Sequence, residues 1–136
     1  MPILTLKLSD DALSVDATSL AQALTTLSKK VLHKRADVTS VVLQRVAYDA
    51  WWIDGARPLQ VRAQLDIRIT QGTNTEDEKT RFVESAYVRL DQSLKPNGTL
   101  HPTCYITVQE VAATDWGYGG LTQHQRRMAA SVTYAK

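Results

Sequence analysis

Gln44-Arg45-Val46-Ala47-Tyr48-Asp49-Ala50-Trp51-Trp52-Ile53-Asp54-Gly55 nearly repeats later in the chain as Gln109-Glu110-Val111-Ala112-Ala113-Thr114-Asp115-Trp116-Gly117-Tyr118-Gly119-Gly120. Glutamine, valine, alanine, tryptophan and glycine recur in register without a gap. Duplication is the better explanation, because the patterning that precedes each copy also repeats. In both halves a strand is followed by a helix and a second strand.

Working outward, Ile3 to Leu8 alternates weakly as a strand, and a helix is expected from about 18 to 34 with Leu20, Leu24, Leu27 and Val31 on one face. Ser19-x-x-Gln22 has the form of a capping box at its entry. The β-branched run Thr39 to Val46 is the second strand. The third alternates from Leu59 to Thr70, with Leu59, Val61, Ala63, Leu65, Ile67 and Ile69 on one side and Gln60, Arg62, Gln64, Asp66, Arg68 and Thr70 on the other. A second helix is expected from about 76 to 94, opened by Thr75-x-x-Glu78, buried through Val83, Ala86, Tyr87, Leu90 and Leu94, and ended by Lys95-Pro96-Asn97-Gly98. The fourth strand is expected over about 103–111, and the segment from Leu121 to Lys136 reads as a short helix or a wrapping arm.

A β-α-β unit places its two strands parallel, with the helix on one face. Two such units side by side predict an α+β fold. It has a four-stranded mixed sheet with two helices on one face, in a single domain over 1–136 with pseudo-repeats 2–55 and 59–120. The opposite face is left uncovered and partly polar, which predicts burial against other subunits.

With 136 residues, 43% of them apolar and a net charge of +2, the chain is an ordinary globular domain, and its scattered Arg and Lys make no case for nucleic acid. No apolar run approaches a membrane span or the apolar region of a signal peptide, so a cytoplasmic location is the expectation. One cysteine, Cys104 in a β-like run, excludes an internal disulfide framework and reads as a buried structural thiol. His33, His101 and His124 are too far apart for ligand spacing, so no metal site is expected.

Met1-Pro2 opens the first strand. With Met1 removed, Pro2 carries a secondary amine on a rigid support. Such an amine titrates much closer to neutrality than lysine, and burial or nearby cations lower it further, which makes it a usable base at pH 7.

A proline opening the first strand, the duplicated β-α-β unit and the tryptophan-glycine hairpins together resemble the tautomerase superfamily. That family includes 4-oxalocrotonate tautomerase, 5-carboxymethyl-2-hydroxymuconate isomerase, malonate semialdehyde decarboxylase and macrophage migration inhibitory factor. The resemblance covers about residues 2–120, with the length of the fused, two-unit members. Leu65-Asp66-Ile67-Arg68-Ile69-Thr70-Gln71-Gly72-Thr73-Asn74 is similar to the third strand and loop of the carboxymethyl-hydroxymuconate isomerases. Glu76-Asp77-Glu78-Lys79 and Ala113-Thr114-Asp115-Trp116-Gly117-Tyr118-Gly119 look more like the decarboxylase branch.

The resemblance implies a homotrimer with a pocket around Pro2 at the subunit boundary, acting without a cofactor. In such a pocket the proline amine moves a proton between an enol oxygen and a carbon. Cations hold the substrate carboxylate, and aromatic residues exclude water. It implies Arg45 or Lys34 as the carboxylate anchor, although Arg45 also suits a solvated strand position and Lys34 a helix C-terminus. Trp51 and Trp116 would wall the pocket or anchor an interface. Tyr105 would donate to substrate or pack in the sheet, and Arg68 would contact substrate or form an intersubunit ion pair.

Two departures bear on the substrate. The loop Gly72-Thr73-Asn74 carries no charge, and Asp10, Asp11 and Asp16 stand at the first helix entrance. Both count against decarboxylation and dehalogenation, and favour either a monocarboxylate substrate or a poorly optimised enzyme. The expected activity is keto–enol tautomerisation of a small 2-oxo or 2-hydroxydienoic acid. A lyase reaction at the same site and a non-catalytic oligomeric binding protein are the alternatives.

Overall fold

Each half of the chain builds a parallel strand pair around one helix, as a computed structural model describing residues 2–12, 15–95 and 98–135 shows. The first half contributes β1 (Ile3–Ser9), α1 (Ala17–Leu32) and β2 (Ser40–Val46). The second contributes β3 (Ala63–Thr70), α2 (Glu76–Leu94) and β4 (Ile106–Val111). β5 (Gly117–Tyr118), β6 (Leu121–Thr122) and α3 (Gln123–Ala135) follow. The main sheet has the order β2-β1-β3-β4. β1 runs parallel to β2 and β3 parallel to β4, and the halves join through the antiparallel pair β1–β3. The sheet is therefore mixed, as expected.

The alternating pattern of the strands decides which face is covered. Leu4, Leu6 and Leu8 of β1 and Leu65, Ile67 and Ile69 of β3 point into one core. There they meet Leu20, Leu24 and Leu32 of α1 and Phe82, Ala86, Leu90 and Leu94 of α2. The two helices pack side by side on that face. The repeated glutamines occupy matching register positions, since Gln44 faces Lys7 and Gln109 faces Arg68. The opposite face carries the rows Ser40–Ile3–Arg68–Gln109 and Val42–Thr5–Asp66–Thr107. Among the described residues no helix of the chain covers it.

Several local expectations are corrected. α1 is capped by Asp16, whose carboxylate accepts from Ser19 N at 3.1 Å, and not by a Ser19–Gln22 box. It ends at Leu32, where His33 turns left-handed (φ 59°). α2 has its capping box in full: Thr75 Oγ1 accepts from Glu78 N at 3.1 Å, and Glu78 accepts from Thr75 N at 2.8 Å. Phe82, not Val83, takes the first buried position of α2. Pro96 and Asn97, expected to end α2, lie outside the described residues, as do Met1 and Lys136.

The alternation also overreaches at the third strand. Leu59 is 99% exposed, because regular pairing begins only at Ala63. β4 likewise begins at Ile106, three residues later than expected. Cys104 is partly buried against the core, and burial pushes its thiol up to about 11, consistent with a structural thiol. The segment after Gly120 resolves into both a strand and a helix. Asp54-Gly55 (φ 55° and 69°) and Gly119-Gly120 (φ 62° and 83°) make two matching turns with both central residues left-handed, the type that closes a two-residue hairpin.

Candidate functional site

The two ends of the sheet are chemically different. Pro2 is buried at one end, and its carbonyl accepts from Ser40 N at 3.3 Å. Because β1 and β3 are antiparallel, the same end holds the close of β3 at Thr70 and, beside it, the close of β4 at Val111.

Lys34 arrives here from the end of α1. The left-handed turn at His33 lets Lys34 N donate to Ser28 O at 3.2 Å, and the side chain leaves the helix axis to become 92% buried (8% exposed). Its Nζ donates to Thr73 Oγ1 at 2.9 Å, and that hydroxyl donates to Thr70 O at 2.6 Å. Burial lowers the Lys34 pKa, and Arg127 lowers it further; Glu78 and Glu110 oppose the shift. Asn74 Nδ2 donates to Leu32 O at 3.0 Å, which ties the Gly72–Asn74 loop to the end of α1. The loop's lack of charge thus serves a positioning role: it supplies neutral acceptors to a buried ammonium.

Trp116 closes the same end from the second hairpin. Its Nε1 donates to Thr70 Oγ1 at 3.2 Å, so Thr70 is buried between strand and indole. Beyond it, Lys79 and Glu110 pair at 2.8 Å. A cavity of about 420 Å³ is lined among others by Arg35, Val38, Tyr118, Arg126 and Arg127, and a separate one of about 290 Å³ by Trp116 and its hairpin neighbours. A larger groove of about 810 Å³ runs between α1 and α2 on the outer surface, bordered by Lys30, Glu84 and Arg89. It is far from Pro2 and its charges are mixed.

Within one protomer the expected site residues divide. Pro2, Lys34 and Trp116 share one end. Arg68 faces Ile3 from the uncovered side, and its Nε donates to Gln109 Oε1 at 3.3 Å. Arg45 faces Leu8, six residues along β1 from Pro2 and so ~20 Å away. Its Nη1 donates to Ala12 O at 3.2 Å. Trp51 belongs to that far end too, and Tyr105 (71% exposed) stands on the uncovered face nearer to it.

The far end is organised around Arg62, which the alternation had assigned to the polar side. Arg62 is 2% exposed. Its Nη1 donates to Tyr48 O and Trp51 O, each at 3.0 Å, and its Nη2 pairs with Asp11 at 3.0 Å. Asp10 accepts from Tyr48 N at 2.7 Å. Asp10 and Asp11 therefore brace this end, and Asp16 caps a helix; none of them stands beside Pro2 of its own protomer. Any charge Asp10 and Asp11 bring to a Pro2 pocket comes from a neighbouring subunit, beside the Trp51 hairpin they brace.

Sequence reasoning missed Arg126, Tyr118 and Arg35. The signal available was the Gly119-Gly120 turn, which brings a basic helix back against the strand ends.

No protein-family profile matches the sequence, and no curated protein matches it. Solved structures do. A fused 4-OT solved as a symmetric trimer superposes with a TM-score of 0.77 at 16% identity, over 91% of this chain and 98% of that one. A member of the cis-3-chloroacrylic acid dehalogenase family gives 0.70 at 19% identity, over 95% and 90%. Macrophage migration inhibitory factor from Oncomelania hupensis gives 0.70 at 15% identity, over 88% and 95%. The fold is the one these tautomerase-superfamily proteins share.

Proposed function

We propose that this protein is a tautomerase-superfamily enzyme: a cofactor-independent keto–enol tautomerase of a small 2-oxo or 2-hydroxydienoic acid, with Pro2 as the proton carrier. The observation that carries the reading is a buried proline at the start of a central strand, at the same sheet end as a buried lysine. Lys34 donates to a neutral hydroxyl, and among the described residues no carboxylate lies within ion-pair distance of it.

Removal of Met1 frees the secondary amine. The mechanism needs that amine neutral at working pH, a state that burial and a nearby cation favour, so that it accepts the enol proton. The resulting ammonium returns a proton to carbon, and the bond order shifts with it. Lys34 holds the carboxylate and keeps the substrate in line with the amine. Trp116 supplies an apolar wall that limits water. A homotrimer completes the pocket, with the uncovered sheet face buried between subunits. Arg45, Trp51 and Tyr105 then contribute from a neighbouring protomer, because they cannot reach Pro2 of their own. The fused 4-OT trimer supports that assembly.

The test is the ketonisation rate of phenylenolpyruvate against pH, with Met1 confirmed absent, for the parent protein and Pro2→Ala. An apparent pKa below that of a free proline amine, with activity lost on substitution, is the expected result. Equal rates in the two proteins remove Pro2 from the mechanism.

A further inference from the structure

The residues that hold Lys34 converge on one carboxylate. Glu78 stands in the first turn of α2 with its side chain 16% exposed, and both of its oxygens are engaged. Its Oε1 accepts from Thr75 N at 2.8 Å and from Asn74 Nδ2 at 3.4 Å, and its Oε2 pairs with His33 Nε2 at 3.0 Å. His33 directly precedes Lys34. Asn74 directly follows Thr73, which accepts from the Lys34 ammonium, and the same Asn74 amide donates to Leu32 O at 3.0 Å. The turn that launches Lys34 and the loop that receives its side chain are thus tied to one residue.

The hydrogen bond from Thr75 N above all, with Asn74 and His33 behind it, holds the Glu78 carboxyl below the usual carboxylate range, so Glu78 is ionised at neutral pH. Among the described residues it makes no ion pair with Lys34. Burial disfavours the Lys34 cation, and of the charges facing it Glu78 acts most strongly in its favour. Glu110 of β4 acts with Glu78 but is paired with Lys79, and Arg127 of α3 opposes both. A carboxylate tethered at this remove favours the charged lysine without occupying the place of a ligand's carboxylate.

We propose that Glu78 is a positioning residue for Lys34: tethered by His33, Thr75 and Asn74, it fixes where the lysine points and keeps it a cation, yet leaves it free to take a carboxylate. This rests on the role of Lys34 proposed above and deepens it. Glu78 touches no substrate and acts through Lys34.

Lysine labelled with carbon-13 at Cε reads the Lys34 titration by NMR without turnover, its signal assigned by its absence in Lys34→Arg. Glu78→Gln keeps an oxygen for the capping box and removes the charge. Its Lys34 midpoint should move to lower pH, and the alkaline rise of KM for phenylenolpyruvate should move with it. At the parent's midpoint KM should be about threefold higher in this variant, with kcat kept within about twofold. Thr75→Ala weakens the same helix start and keeps the charge, so its Lys34 midpoint should stay in place. Glu84→Gln, which removes a carboxylate from the outer groove, should also leave it in place. Asn74→Ala unties the loop from Leu32 O and should raise KM about threefold at neutral pH, where Lys34 is charged in every variant. Circular dichroism confirms that each variant is folded.

A Lys34 midpoint unmoved in Glu78→Gln overturns the proposal. So does an equal shift in Glu84→Gln, which would make the effect one of net charge, and so does an unchanged KM in Asn74→Ala. A protein that ketonises nothing, but whose Lys34 midpoint falls in Glu78→Gln alone, overturns the reaction and leaves the assignment of Glu78 standing.

Discussion

Lys34 Nζ donates to Thr73 Oγ1 at 2.9 Å across 39 residues of sequence, and so joins the end of the first helix to the loop after β3. The bond places a buried cation at the Pro2 end of the sheet on a neutral partner. Its charge stays available to a ligand, and its burial costs the folded state.

That cost has a pH signature. The folded pKa of Lys34 lies below its ordinary 10.5, so between those two values the unfolded chain holds the extra proton and stability rises with pH. Relative to Lys34→Met, the parent protein should gain stability as pH climbs toward 10.5 and show no such gain below the folded value; urea titrations of both proteins across pH 7–10.5 read this.

Substrate binding should move the other way. If Lys34 anchors the substrate carboxylate as proposed, its deprotonation removes that anchor and KM should rise at a pH below 10.5. In Lys34→Arg, whose guanidinium does not deprotonate in this range, KM should stay flat. An unchanged alkaline limb in that variant would assign the limb to another group.

Arg62 should matter first for stability. Its guanidinium satisfies two carbonyls and Asp11 while 2% exposed. Arg62→Ala strands those acceptors and should cost about 3 kcal/mol, read from the urea midpoint. Any further loss in rate per folded molecule would report the displacement of Trp51, whose carbonyl Arg62 holds, from the neighbouring protomer's pocket.

Thr75→Ala removes half of a complete capping box at the start of α2 and should cost about 1 kcal/mol. Thr75→Ser, which keeps the hydroxyl acceptor, should recover most of it by thermal denaturation.

Trp116→Phe keeps an aromatic wall and deletes the donor to Thr70 Oγ1. A stability loss of about 1 kcal/mol is expected for one neutral hydrogen bond. Activity should fall with it, because the lost bond lets the indole's replacement shift at the Pro2 end.

The elements that were legible in the sequence are those whose reasons are local. Thr75 and Glu78 stand at capping spacing, and the leucines of β1 alternate. The repeated glutamines and tryptophans announced two like units before any contact was known. What failed depended on partners distant in sequence. Alternation alone sends Arg62 to solvent, and only Asp11 and the carbonyls of Tyr48 and Trp51 turn it inward. Leu59 continues the alternation but has no strand to pair with. At the candidate site, the placing of Pro2 and Lys34 at one sheet end follows from the strand order and the end of α1. Arg45 stands near the close of β2, which runs parallel to β1, so within one protomer it lies at the end away from Pro2. The pairing of Arg126 with Tyr118 has no sequence pattern at all; a turn of two glycines is its only trace.

The sheet order β2-β1-β3-β4 also fixes a sequence of events in time. Each parallel pair closes around its own helix within one half of the chain, whereas β1 must find β3 across roughly sixty residues. Local closures come fast and distant ones slowly. The joining of β1 to β3 should then be the later step of folding, and until it happens each strand offers an unpaired backbone edge to any other chain nearby. A mutation that weakens this seam therefore threatens yield during synthesis before it threatens the finished molecule.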